Sequence, residues 1–257
     1  FFKNTIDTQH ELAIDTEFNW RNTYYPELSI IQIADRNNIF LIDCLIFKDL
    51  KFIKFLLENS KLLIFHSIRS DSTVLFSYSG IKIDRVFDVQ IAEKKISDGE
   101  NLNYASIVSK YFPVKLKKSE TNSNWLKRPL SQSQVEYASD DVKYLIEIYR
   151  KQKNKLLSMN CYEKVLANSK LEANLGSKEL YISRLSKLKN SSKIEKKIFM
   201  WREKIAMKKN VPSSYILKNN LLKKIYKVFL EEDYEKNLKK ILKDDDLYLS
   251  LIHSINK

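Results

Sequence analysis

The sequence predicts an α/β core, a mixed sheet of five or six strands flanked by helices, followed by an all-α region. Two observations carry this. Short apolar runs with strand period occupy the first ninety residues and alternate with helix-period segments from about residue 47 onward. Beyond about residue 155 the strand patterns stop, lysine becomes frequent, and every segment reads as helix. The division predicted is 1–155 for the core, 156–193 for a helical linker with breaks near Leu166–Lys178 and Asn190–Lys193, and 194–257 for three or four short amphipathic helices.

The elements follow in order. In Leu12–Phe18 polar and apolar positions alternate, so Leu12, Ile14 and Thr16 take one strand face and Ala13, Asp15 and Glu17 the other. Leu28–Ala34 and Asn37–Cys44 make two further strands around a turn at Asp35–Asn38, giving a three-strand meander. Helical periodicity runs over Phe47–Glu58, a short buried strand over Leu62–His66, and a helix from Asp71 to Tyr78. Ile83–Phe87 is a brief strand, and Asp88 is placed to cap the helix after it. Ser131 and Gln134 have capping-box spacing, and Val135, Ala138, Val142, Leu145 and Tyr149 form one apolar stripe behind them.

Composition excludes several function classes. With 3 Gly and 4 Pro, and neither a P-loop nor a dinucleotide-binding glycine pattern, a glycine-rich phosphate cradle is ruled out. Cys44 and Cys161 lack metal-ligand spacing and imply no disulfide framework, which fits a reducing compartment, the cytoplasm. No apolar run approaches the ~18 residues of a membrane span. The apolar share of 44% supports a core of ordinary size. The net charge of +13 is unevenly placed: residues 1–150 hold 20 basic and 20 acidic side chains, and residues 151–257 hold 25 and 12. A neutral half joined to a basic half points to chemistry in the first and polyanion capture in the second.

The chemistry lies in carboxylates drawn from distant segments. Asp15 and Glu17 leave the same strand face. Asp71 sits near a helix start, and Tyr137 and Asp141, four apart, share a helix face one turn from each other. Four converging carboxylates would repel one another, and divalent cations remove that penalty. Two cations about 4 Å apart can activate a water and stabilise a leaving oxygen in phosphodiester cleavage. Tyr137 would then hold the attacking water.

Read in order, these residues resemble the ribonuclease D family of 3′-5′ exonucleases, whose three motifs are D-x-E, an internal Asp and Y-x-x-x-D. Asp15-Thr16-Glu17 matches the first motif, His66 through Asp71 the second, and Tyr137 with Asp141 the third. The segment Asn22–Gln32, the run Phe87–Ala92, Lys118–Thr121, Trp125 and Arg128–Leu130 are also similar to the family, so the likeness covers about residues 10–150. A tyrosine four residues before the last Asp implies the tyrosine subclass rather than the histidine one. Trp201-Arg202-Glu203, Ala206, Pro212, Tyr215–Leu217 and Leu221-Leu222 are similar to the HRDC helical domain that follows ribonuclease D cores, with room for one copy.

The resemblance implies a ribonuclease H-like fold with an HRDC-like tail. It implies two Mg²⁺ or Mn²⁺ held by Asp15, Glu17, Asp71 and Asp141, and trimming of RNA with a free 3′-OH, such as tRNA precursors, to 5′-mononucleotides. No membrane and no obligate protein partner are expected. Thr16, His66, Trp125 and Arg128 are candidates for substrate binding. Trp125 and Arg128 serve equally well as a packed loop clamp, and His66 fits a hydrogen-bonded strand-end residue better than a ligand. Lys115, Lys117 and Lys118 read as a solvated basic loop facing substrate, and Asp140 as structural or as a support behind the carboxylates that hold the metal. Two other functions fit the same residues: a DNA 3′-5′ exonuclease, separable on matched RNA and DNA strands, and a catalytically silent RNA-binding protein, separable by Mn²⁺-dependent cleavage.

Overall fold

The computed structural model describes residues 10–117, 119–188, 191–229, 231 and 233–256; Lys118 of the basic loop and Asn190 of the predicted break lie outside them. The chain forms two compact units. One runs to Asn19 and again from Pro26 to Lys178; the other takes Trp20–Tyr25 and the chain from Glu179 onward.

The first unit holds the sheet, with strands β1 (Glu11–Asn19), β2 (Glu27–Ala34), β3 (Ile39–Asp43), β4 (Leu62–Phe65) and β5 (Val86–Asp88). Their spatial order is β3-β2-β1-β4-β5. The meander β1-β2-β3 is antiparallel, and β4 and β5 are added in parallel. Helices of this unit are α1 (Lys51–Asn59), α2 (Arg69–Ser79), α3 (Val89–Ile96), α4 (Tyr104–Tyr111), α5 (Gln132–Lys143), α6 (Leu145–Ser158) and α7 (Tyr162–Gly176).

The period-two alternation sorts the core into two layers. Leu12, Ile14, Ile33 and Phe65 pack with Ile53 and Leu56 of α1 and Val74 and Leu75 of α2. Ala13, Ile64 and Phe87 pack on the other side with Ala92, Ile107, Val142 and Ile148. Burial of both faces makes a sheet between helical layers, the ribonuclease H-like arrangement that the family resemblance implies.

Local signals are realised at several helix ends. Ser131 Oγ accepts from Gln134 N–H at 3.1 Å while Gln134 Oε1 accepts from Ser131 N–H at 3.0 Å. Asp88 caps α3, accepting from Gln90 N–H at 2.8 Å. Gly80 ends α2 with φ 67°, the left-handed turn that glycine adopts without a Cβ penalty.

Three expectations are corrected. The apolar stripe Ala138–Tyr149 belongs to two helices, because the chain breaks at Tyr144; no Gly or Pro marks that break, so periodicity runs through it. The break near Leu166–Lys178 is instead the second half of α7, where Ser169, Ala173 and Gly176 are buried. Their small side chains look loop-like in sequence and serve as a close-packing face in the structure. α7 accordingly belongs to the first unit, whose last residue is Lys178.

The third correction is the helix count of the tail. After α8 (Leu180–Leu185) and a 3₁₀ turn (Ser186–Leu188), five helices follow among the described residues. They are α9 (Lys193–Lys209), α10 (Ser213–Ile216), α11 (Asn219–Val228), α12 (Tyr234–Leu242) and α13 (Asp245–Asn256). Ile198, Trp201, Leu222, Ile225, Leu238 and Leu251 form their core. Glu203 is fully buried and bonded to Arg184 Nη1 at 2.9 Å and to the Tyr24 hydroxyl at 2.9 Å, which ties Trp20–Tyr25 into this unit. No helix among the described residues is long and apolar enough to cross a membrane.

Candidate active site

β1 supplies two carboxylates because its free end is left open. Its parallel pairing with β4 ends at Ala13–Ile64, whereas its antiparallel pairing with β2 continues through Asp15–Gln32 and Glu17–Ile30 to a bulge between Glu17 and Phe18. The half of β1 that carries Asp15 and Glu17 therefore has one edge unpaired. Bulges commonly re-aim side chains beside sites of this kind. α5 packs against β1, β2 and β3, and brings Asp141 and Tyr137 onto the face that Asp15 and Glu17 occupy.

One oxygen from each of Asp15, Glu17 and Asp141 lies within 4.8 Å of the others. Asp71, the third residue of α2, is 5% exposed and accepts a hydrogen bond of 2.6 Å from the Thr16 hydroxyl. Its carboxyl also meets that of Asp15 within hydrogen-bonding reach. The five residues singled out by motif thus converge from β1, α2 and α5.

Electrostatics show what the cluster is suited to hold. Burial, then the neighbouring Asp71, Asp141 and Glu17, push the Asp15 carboxyl well above the usual carboxylate range. Burial with Asp141 and Asp71 raises Glu17 to about 9. Burial with Asp140 and Asp71 raises Asp141 to about 7. Asp71 rises to about 7 through burial, against the lowering effect of the Thr16 hydrogen bond. These are acidic groups held together against their own repulsion. A hard-oxygen donor set of this kind fits a divalent cation.

Tyr137 is partly buried, and burial with Asp141 raises its phenol to about 12. Its hydroxyl lies 3.4 Å from that of Thr121.

Of the four candidate substrate contacts, Thr16 and Trp125 are buried and His66 and Arg128 are half-buried. Thr16 is 5% exposed with its hydroxyl given to Asp71, so its side chain orients a carboxylate. Trp125 is 2% exposed and lies against the Tyr137 ring with centroids 6.0 Å apart; it has no open face for a base and acts as a support. Arg128 spends all five donors inside the protein. Nε and Nη2 donate to Asp43 at 2.5 and 2.8 Å, Nη2 also to Ser29 Oγ at 3.1 Å, and Nη1 to the carbonyls of Trp125 and Lys127 at 2.7 and 2.9 Å. None remains for a phosphate. His66 is half-buried against Tyr104, with Nε2 3.5 Å from the Leu102 carbonyl, and burial lowers its pKa.

Tyr104 is the residue that sequence reasoning missed. Its hydroxyl donates to the Asp140 carbonyl at 3.0 Å, and burial raises its phenol well above the usual value, with Asp141 and Asp15 adding to the rise. Asn103, which caps α4, marks the helix in sequence, but nothing local marks its first residue as a neighbour of the carboxylates.

Residues 2–157 match the family model described as 3′-5′ exonuclease. The chain belongs to the 3′-5′ exonuclease family. Among relatives, ribonuclease D of Desulfotalea psychrophila is 31% identical over 83% of this chain and 60% of its own length. Ribonuclease D of Haemophilus influenzae is 31% identical over 87% of this chain and 59% of its own. The chain thus spans about three-fifths of the length of these curated relatives. The crystal structure of Escherichia coli RNase D, described as an exoribonuclease involved in structured RNA processing, superposes with a TM-score of 0.82. It is 22% identical and covers 95% of this chain and 69% of that one, a likeness of fold. Brucella melitensis NrnC bound to pGG is 27% identical with a TM-score of 0.59, covering 72% of this chain and 89% of that one.

Proposed function

We propose that the chain is a metal-dependent 3′-5′ exoribonuclease of ribonuclease D type. The observation that carries this reading is the convergence of Asp15, Glu17 and Asp141 within 4.8 Å, with Asp71 against Asp15. The likeness to ribonuclease D relatives at 31% identity supports RNA as the substrate class.

Asp15, Glu17, Asp71 and Asp141 would hold two Mg²⁺ or Mn²⁺. When bound, these cations supply Lewis-acid activation of water and charge stabilisation at the leaving 3′ oxygen. Thr16 keeps the Asp71 carboxylate turned toward Asp15. Tyr137 keeps its proton at neutral pH, so it orients the attacking water by a hydrogen bond and leaves deprotonation to other groups. The ring of Trp125 fixes the Tyr137 ring in place.

The substrate is RNA with a free 3′-OH, tRNA precursors being the class the resemblance suggests, shortened one 5′-mononucleotide at a time in the cytoplasm. The helices beyond residue 194 act as an HRDC-like module whose lysines hold the RNA body through phosphates, with no obligate protein partner. A 5′-labelled RNA with a single-stranded 3′ end tests the reading directly. Stepwise shortening with Mn²⁺, its absence with EDTA, and slower action on the matched DNA are expected. Internal cuts, or cleavage indifferent to EDTA, would refute it.

A further inference from the structure

We propose that α7, which lies beyond the region matched by the exonuclease family, is a working part of the catalytic unit: it positions Asp71 by holding the start of α2 from both sides. The inference rests on the reading of Asp71 as a metal ligand. α2 needs outside support, because its N-cap position, Ile68, offers no side-chain hydrogen bond. The residue before it, Ser67, has φ 64°, a conformation uncommon for a residue with a Cβ.

One support reaches the loop ahead of α2. Ser169 of α7, fully buried, donates to the Val165 carbonyl at 2.8 Å and accepts from the Asp88 N–H at 3.0 Å. Asp88 in turn accepts from the N–H groups of Ser67 and Ile68, both at 3.0 Å, besides capping α3. Its carboxylate therefore pins the strained residue and the helix start together.

The other support grips the first turn itself. A Cβ on Gly176 would stand 2.5 Å from the Arg69 carbonyl oxygen and 2.7 Å from Ser72 Cβ, so only glycine lets α7 approach this closely. Ser72 Oγ donates to the Ala173 carbonyl at 2.8 Å. Thr73 Oγ1 lies within hydrogen-bond distance of both the Gly176 carbonyl, 3.2 Å, and the Arg69 carbonyl, 3.0 Å. Arg69 also pairs with Glu172. Residues 69, 72 and 73 surround Asp71 on the helix turn, so a shift of α7 moves the carboxylate relative to Asp15. Groups that orient metal ligands change metal affinity by about 10- to 100-fold when altered.

The test measures Mn²⁺ binding by calorimetry, together with Tm, on the full chain. Asp71→Asn checks the underlying reading and is expected to weaken binding strongly. Gly176→Val is expected to weaken Mn²⁺ binding by about tenfold or more. Thr73→Val, which replaces the hydroxyl by a methyl of similar size, is expected to weaken it as well, and Thr73→Ser to restore it. Should Gly176→Val fail to fold, the Thr73 pair decides. Leu166→Ala trims the face of α7 that packs on the opposite core layer; it should lower Tm and leave Mn²⁺ affinity unchanged. Wild-type affinity in the Gly176 and Thr73 variants, with weakened binding in Asp71→Asn, overturns the role of α7 alone. Equal weakening in Leu166→Ala reduces α7 to general stability and overturns it too. Unchanged affinity in Asp71→Asn overturns the metal reading and this inference with it.

Discussion

Replacing Asp15 by Asn should have opposite effects on the metal-free and metal-bound protein. Two ionised carboxylates within 4.8 Å of each other repel by at least roughly 3.5 kcal/mol at an effective dielectric of about 20. Asp15 faces three acidic neighbours, Asp71, Asp141 and Glu17, and proton uptake relieves part of that strain. A net gain of about 1–2 kcal/mol for the metal-free variant is the expected remainder, equivalent to a Tm rise of about 2–8 °C for a chain of this size. Saturating Mn²⁺ should do the reverse. A ligand present at about 100 times its Kd stabilises the wild type by about 2.7 kcal/mol. The variant, one ligand short, should lose most of that shift and all measurable cleavage. The assay is thermal denaturation in EDTA and in Mn²⁺, with cleavage of end-labelled RNA alongside. An unchanged or lower Tm in EDTA, with the Mn²⁺ shift retained, would refute both the crowding argument and the ligand role. This sign reversal separates a metal site from an ordinary acidic surface, where neither effect exceeds a few tenths of a kcal/mol.

Arg128→Ala should cost about 2–4 kcal/mol in urea unfolding, since Asp43 loses a two-point partner, while RNA affinity stays within about twofold; a tenfold drop in affinity at unchanged stability would restore Arg128 to the substrate. Glu93 gives a pH dependence: burial alone would raise its carboxyl, yet hydrogen bonds from Lys110, Gln152 and Tyr111 hold it below the ordinary value of 4.5. A lowered folded-state pKa contributes stability that is present above the unfolded value and lost as pH falls through the folded one. Glu93→Gln should therefore be less stable at pH 7 by about 1–3 kcal/mol and show a flatter acid limb between about pH 5 and 3; parallel curves would contradict this. Gln32, fully buried opposite Asp15, has no partner for either amide atom among the described residues, so Gln32→Met should leave stability equal or higher by about 1 kcal/mol, and a clear drop in Tm would show that the amide is bonded. Neutralising the exposed Lys223, Lys224, Lys227 and Lys236 should weaken RNA binding and make its salt dependence shallower, by about 0.7 for each phosphate no longer neutralised, with Mn²⁺ affinity unmoved; an unchanged salt slope would remove the helical unit from RNA binding.

What the sequence determined by itself is what depends on nearest neighbours along the chain. Asp15 and Glu17 share a face because strand side chains alternate, and Tyr137 and Asp141 share one because four residues make a helical turn. The Ser131–Gln134 box and the Asp88 cap were legible for the same reason, since each bonds backbone within three residues. The fold class followed from runs of these local periods, and the ordered motifs pointed to the family.

Only the tertiary structure decided which polar groups remain free to act. Arg128 and Trp125 carry the chemistry of nucleic-acid recognition, but Asp43 on β3 takes the guanidinium and burial takes the indole. Thr16 looks like any strand threonine until Asp71, 55 residues away, receives its hydroxyl. Tyr104 reaches Asp140 across 36 residues, and Gly176 meets Arg69 and Ser72 from the far end of α7. Donors, acceptors and volume are each spent once, and the partner that uses them is set by three-dimensional proximity. No local pattern encodes that, which is why the carboxylates that converge could be singled out in the sequence and the groups that hold them could not.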